Sequence, residues 1–132
     1  MIKPVQTSTV VFICGSALRG QPDHGNLQDA KFLGAAQTAA KYRLHSVKDG
    51  WHPGIYPTTD KGISIPGELY EMSADQYEHL KNNEPPHMYP ESVELIEGGS
   101  AIAFLYPKTL IDEYGWEDIS NYGGWAAYKA AQ

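Results

Sequence analysis

The sequence holds a single cysteine, Cys14, and only two arginines, Arg19 and Arg43. One thiol excludes an internal disulfide and any thiolate-rich zinc site. Ten Lys and Arg against sixteen Asp and Glu leave a net charge of −6. The basic residues form no cluster, so the phosphate backbone of nucleic acid is not an expected partner. No run approaches the ~18 consecutive apolar residues that a membrane span requires. The opening Met1-Ile2-Lys3-Pro4 lacks the long apolar stretch of a secretion signal, and the expected location is the cytoplasm. There is no repeat, linker or low-complexity tract. The histidines, His24, His45, His52, His79 and His87, show no His-x-x-x-His spacing and no neighbouring carboxylate cluster, so neither a metal nor a cofactor is expected. Each reads as a surface histidine. His24, in the loop after a glycine turn, is placed to close over a ligand, and His52 and His87, beside prolines, are placed to border a cavity.

What is present fits one globular domain, residues 1–132, with 42% hydrophobic and 20% charged residues. Nine tyrosines outnumber three phenylalanines. Tyrosine suits a lined pocket with polar tips, and equally a half-buried strand.

Residues 7–13 (TSTVVFI) are β-branched and aromatic, which predicts a strand buried on both faces at its end. Residues 31–36 and 42–47 read as two more strands, and 51–57, with two prolines and a glycine, as a loop. Strand character resumes over 63–72, where Pro66-Gly67 predicts an edge position or bulge. Ser73-Ala74-Asp75-Gln76 matches a capping box. The helix that it starts carries Tyr77 and Leu80 on one face and must stop before Pro85-Pro86. Residues 92–96 and 101–106 form a hairpin across Glu97-Gly98-Gly99. Pro107 opens a helix over 108–114, closed by Gly115. The tail, 116–132, has two tryptophans and is expected to pack across the body. Short strands that are mostly antiparallel neighbours, with a few short helices, make an α+β domain whose sheet curls or closes to protect its edges.

A buried strand that ends in Gly-Ser has a chemical use. Without a side chain at Gly15 the backbone can turn so that successive amides face one cavity, where they bind a carboxylate or a developing oxyanion. Ser16 adds a hydroxyl, and Arg19 would attract an anion to the rim. Taken by itself, the same run is an ordinary tight turn with Arg19 in solvent. Cys14, a lone thiol at a strand end, reads as a small hydrophobe rather than a nucleophile.

The run Val11-Phe12-Ile13-Cys14-Gly15-Ser16-Ala17-Leu18-Arg19-Gly20 resembles the opening signature of the gamma-glutamylcyclotransferase-like (AIG2-like) superfamily: a hydrophobic strand, Tyr-Gly-Ser/Thr-Leu, a basic residue and glycine. Ala30-Lys31-Phe32-Leu33-Gly34, Tyr42-Arg43-Leu44, His52-Pro53-Gly54-Ile55 and Pro66-Gly67-Glu68-Leu69-Tyr70-Glu71 are similar to its later segments, in order. Leu80-Lys81-Asn82-Asn83-Glu84 falls where that family has Leu-Asp-x-x-Glu, and Tyr89 and Ala103 to Tyr106 fall on its later tyrosine positions. The Ser-Ala-Leu-Arg-Gly and Tyr-Arg-Leu runs also look like the C-terminal domain of allophanate hydrolases and its free-standing relatives.

The resemblance implies a small, mixed, mostly antiparallel β-barrel flanked by short helices. It implies Glu84 as catalytic acid/base, with Cys14, Gly15, Ser16, Ala17, Leu18, Arg19, Tyr89 and Tyr106 binding the substrate. In a cyclotransferase the substrate's α-amine attacks its own γ-glutamyl carbonyl and releases an amine and 5-oxoproline, so the enzyme needs positioning, a proton acceptor and oxyanion donors. The allophanate hydrolase likeness implies instead the processing or decarboxylation of a small carboxylated urea. A third reading is a non-catalytic module that binds a metabolite or an amidase on the same surface. The expected partners are a small-molecule substrate and either a second copy of the chain or an amidase. Two positions depart from the superfamily pattern: Cys14 stands for the signature tyrosine, and Pro85-Pro86 follows the glutamate.

Overall fold

The computed structural model describes residues 8–132, so Thr7 and the opening Met1-Ile2-Lys3-Pro4 lie outside the described residues. In chain order these residues form β1 (Ser8–Ile13), β2 (Lys31–Gln37), β3 (Tyr42–Val47), β4 (His52–Pro57), β5 (Pro66–Ser73), α1 (Ala74–Asn82), β6 (Tyr89–Glu94), β7 (Ser100–Leu105), α2 (Lys108–Tyr114), β8 (Glu117–Asp118) and α3 (Trp125–Ala130). Short 3-10 turns occur at His24–Leu27 and Ser120–Tyr122. The strands make one sheet in the order β2-β5-β1-β7-β6 and a second in the order β4-β3-β8. This is the α+β arrangement expected, mixed but mostly antiparallel.

β1 sits at the centre of the larger sheet, antiparallel to β5 and parallel to β7 through Val11 and Ile102. Its Val-Val-Phe-Ile run suits that place, because a central strand is covered on both faces. Val11, Phe12 and Ile13 are accordingly all buried. The outer strands β2 and β6 meet at one end. Thr38 and Leu95 form an isolated bridge, with Ala39 donating to Glu94 and Ile96 to Gln37, each at 2.9 Å. The pairing therefore gives two sheets, the larger with its edges touching at one corner, rather than one continuously paired barrel. Tyr42 ties the sheets together: it bridges Ile63, and its hydroxyl accepts from the Glu94 amide at 3.0 Å.

Residues 52–57 are strand β4, not the loop that their prolines suggested. β4 pairs with β3 on one side only and is the edge of its sheet. An edge strand can turn an imino nitrogen outward without losing a ladder bond, and this is how Pro53 and Pro57 are accommodated. The capping box is formed as expected: Gln76 N donates to Ser73 Oγ at 3.2 Å, and Ser73 N to Gln76 Oε1 at 2.9 Å. Gly115 closes α2 in the left-handed region, φ 65°, where its missing side chain avoids a clash.

The tail packs across the second sheet. Ile119 N donates to Leu44 O at 2.8 Å, and Leu44 N to Ser120 Oγ at 3.0 Å. Ile119, Trp125 and Tyr128 then join the main apolar cluster. Helix α3 and strand β8 are additions to the expected tail. They are too short for sequence periodicity to register. Trp125 is 1% exposed, so Trp125→Ala should lower unfolding free energy by about 3–5 kcal/mol in a denaturant titration. A change well below about 1 kcal/mol would mean that the tail lies outside the cooperative core.

Candidate active site

The chain leaves β1 at Ile13, turns at Gly15, and folds back in a compact loop. Leu18 N donates to Gly15 O at 3.0 Å, Asp23 N to Ser16 O at 2.9 Å, and His24 Nδ1–H to Ala17 O at 3.0 Å. These bonds use the loop's carbonyls. The amides of Gly15, Ser16 and Ala17 donate to no acceptor among the described residues. Gly15 is required by contact: a Cβ there would collide with the Pro53 ring, 2.6 Å from Cδ and closer to Cγ.

The loop, β4 and the segment after α1 line a cavity with about 40 Å³ of free interior behind an open mouth. Cys14, Gly15, Ser16 and Ala17 form one wall, and Glu84 stands among the lining groups with His52 and Pro53. Phe12, Ile55, Met88 and Phe104 supply an apolar surface. That interior has room for a few waters or a compact group. Glu84 is placed by the stop of α1. The helix closes with Asn83 N on Leu80 O at 3.1 Å, and Glu84 N follows on Lys81 O at 3.4 Å. The following Pro85 then prevents a further helical turn.

Burial pushes the Glu84 carboxyl up from 4.5 to about 7, helped by the negative charge of Asp23. Burial likewise pushes the Cys14 thiol up to about 12, with Glu84 adding to it. A thiol so disfavoured as thiolate is no nucleophile near neutrality. The site can thus exchange a proton at Glu84 and hold an anion at the free loop amides. Among the described residues no three His, Cys, Asp or Glu side chains gather as metal ligands would.

The expected residues are placed unequally. Cys14, Gly15, Ser16, Ala17 and Glu84 come together at the cavity, and Leu18 is buried in the core behind them. Arg19 is turned away to Glu68. Its amide donates to Oε1 at 3.1 Å and its Nε to Oε2 at 3.0 Å, while its guanidinium lies 4.0 Å over the Phe32 ring. Burial would raise the Glu68 carboxyl, but these bonds and the Tyr70 hydroxyl hold it low. Tyr89 is exposed on β6, and Tyr106 is buried beside His52 and His87. Neither tyrosine lines the cavity. Two histidines depart from the surface expectation. His45 is 7% and His52 2% exposed, because β3 and β4 carry them inward under aromatic neighbours. The contribution of Ile55 to the apolar wall is not visible in the sequence, because the prolines of 51–57 point to a loop. The one available signal was the Ile55-Tyr56 pair between the prolines.

Against this geometry, the family model of the allophanate hydrolase C-terminal domain matches residues 9–130. The chain belongs to that family. The urea amidolyase of Saccharomyces cerevisiae is 29% identical over 128 residues, 92% of this chain and 7% of that protein. The allophanate hydrolase of Kluyveromyces lactis superposes with a TM-score of 0.87 at 25% identity, over 100% of this chain and 23% of that one. An AIG2-like protein of Mus musculus shares the fold, with a TM-score of 0.61 at 22% identity over 74% of this chain and 76% of that one. The chain spans about 7% of the length of the curated relative it matches, so the activity of that larger protein is not carried over with the family. No helix among the described residues is long and apolar enough to cross a membrane.

Two outcomes follow. Gly15→Ala forces a methyl group into the Pro53 ring, and should cost about 1–3 kcal/mol in denaturant unfolding and disturb the loop amides. The raised Glu84 carboxyl keeps its proton in the folded chain at a pH where the unfolded chain has already released it. It therefore favours the folded state less and less as pH climbs from 4.5 to about 7. Glu84→Gln removes that loss. It should match wild type near about pH 4 and be more stable by about 1–2 kcal/mol near about pH 8, discounted for partial exposure. An equal gap at both pH values would show that the carboxyl is not perturbed.

Proposed function

We propose that the chain is a small-molecule enzyme domain of the allophanate hydrolase type, acting on a small N-carboxylated amide or urea, with Glu84 as proton donor. The observation that carries the reading is a carboxyl group titrating near neutrality that shares one cavity with unpaired loop amides. Family membership supports the choice of substrate class.

In this reaction the amides of Gly15, Ser16 and Ala17 hold the oxygen atoms at the retained end of the substrate. The carboxylate at the other end lies against the apolar wall of Phe12, Ile55, Met88 and Phe104. Leaving water for that wall disfavours the anion relative to neutral carbon dioxide. The nitrogen–carboxylate bond breaks, its electron pair stays on nitrogen, and the Glu84 proton joins that pair as carbon dioxide departs. Solvent then returns a proton to Glu84. A carboxyl titrating near 7 is about half protonated at neutral pH, enough to serve as a general acid, and an ordinary glutamate would not be. The remainder of such a hydrolase, an amidase, is the expected partner that supplies the substrate, and the expected setting is the cytoplasm.

The test is mass spectrometry of purified protein incubated separately with allophanate and with γ-glutamyl amines, wild type beside Glu84→Gln. The reading expects turnover of the carboxylated urea alone, reduced about 10²–10⁴-fold in the variant. Its kcat/KM should fall as pH rises through about 7, because the acid is then lost. Release of 5-oxoproline, with a rate that instead rises through the same range, would overturn it in favour of γ-glutamyl cyclisation with Glu84 as base.

A further inference from the structure

His52 is a polar ring in a place where polar groups are seldom left idle. It is 2% exposed and lines the cavity that contains Glu84 and the loop amides. Its Nδ1 lies 3.0 Å from the carbonyl oxygen of Pro53. A carbonyl only accepts, so Nδ1 must carry the hydrogen. In the neutral ring the proton is therefore committed, and Nε2 is left as a bare lone pair. Burial is the main cause that lowers the His52 pKa, ahead of the opposing Pro53 hydrogen bond, and so it favours the neutral ring. Nε2 makes no hydrogen bond among the described residues, and it is not one of the side-chain atoms sealed from solvent, so the ring keeps that edge open.

The ring cannot easily turn away from this arrangement. Trp51 meets it edge-on at 5.0 Å between centroids, and Tyr106 packs at 5.6 Å on a tilt. Its backbone is fixed as well, since Val47 pairs with His52 in the β3–β4 ladder and Pro53 is pressed against Gly15. An acceptor held rigidly and open to solvent is satisfied by water in the empty site, and a ligand that displaces this water must supply a donor in its place.

We infer that His52 is a substrate-binding residue whose Nε2 accepts a hydrogen bond from an N–H of the substrate, selecting amides and ureas over esters, acids or N-alkylated analogues of the same shape. This rests on the proposed function for the substrate class alone. The loop amides recognise acceptors and Glu84 delivers a proton, so His52 supplies the one function that neither provides: an acceptor for the nitrogen end. Discrimination follows from geometry. An analogue without the N–H displaces water from Nε2 and gives no donor in return, and that loss is larger than the loss of contact area.

The experiment measures equilibrium binding by NMR titration in the Glu84→Gln background, where turnover plays no part. The probes are oxamate, a stable carboxylated amide with N–H groups, and N,N-dimethyloxamate, which keeps both acceptor ends and has none. The parent protein should favour oxamate by about 10-fold or more. His52→Phe keeps an aromatic ring beside Trp51 and removes the acceptor. It should weaken oxamate by about the same factor and leave dimethyloxamate nearly unchanged, so that the preference collapses. His52→Gln, whose side-chain carbonyl can accept, should restore part of the preference and guards against a folding effect of the phenylalanine. Nitrogen-15 spectra of the histidine rings should show the Nδ1–H tautomer at His52 and a shift at Nε2 when oxamate binds.

Equal weakening of both probes in His52→Phe, or a preference that survives the change, would sink the inference even if the enzyme turns over carboxylated ureas. A His52-dependent preference in a protein that turns over nothing would uphold it and remove the proposed reaction. If neither probe binds the parent protein, the inference fails.

Discussion

The Pro53 ring lies so close to the α-carbon of Gly15 that no side chain fits between them, and through this contact the edge strand of one sheet is pressed against the loop leaving the other. The cavity exists because two sheets meet here without interleaving. A methyl group at Gly15 would wedge them apart; a strand without Pro53 would let the loop sag inward. The contact is reinforced nearby by the Tyr106 amide, which donates to Ile55 O at 3.0 Å and carries the end of β7 to β4. Cys14, His52 and Ile55 are spaced around this point by their own strands, so the shape of the site is a property of sheet geometry more than of loop conformation.

The chemistry of the cavity follows from how little water reaches it. Burial is the main cause that holds both Glu84 and Cys14 toward their neutral forms, with a neighbouring carboxylate adding to each, and burial pushes His52 the same way. Only a carboxyl starts low enough for that displacement to bring it to the neutral range; the thiol is driven out of reach. The one nearby guanidinium, Arg19, is already occupied by Glu68 on the far side of the loop. With that cation neutralised, free backbone amides are what the pocket offers an anion. They hold it by direction as well as by charge.

Much of the frame was legible in the residues. The Val-Val-Phe-Ile run of β1, the Ser73–Gln76 capping box, the Gly98-Gly99 hairpin and the Gly115 cap each have a local physical cause, and local causes are what a sequence displays. β4 was not legible, because two prolines in six residues argue for a loop unless one knows that the strand lies at an edge, which is a fact about its neighbours. The same holds for the site. Gly15, Ser16 and Glu84 are visible through pattern, and the prolines beside His52 point to a cavity border, but its burial is not legible. Its burial depends on Trp51, Tyr106 and the packing of a strand that had been read as a loop. Arg19 was misjudged for a related reason: its partner, Glu68, lies far along the chain, and only the β1–β5 register of Ile13 with Glu68 brings them together.

The placing of β1 has a bearing on how the molecule comes into being. Among the described strands, the first to be synthesised is the central one. Its flanking partners are β5 and β7, and the second of these is not complete until Leu105. Until then an apolar strand waits with at least one edge unpaired, and sheet assembly depends on contacts between segments far apart in the chain. Assembly of this domain is therefore a late event, and the loop hanging from the end of β1 acquires its shape only when most of the domain is present.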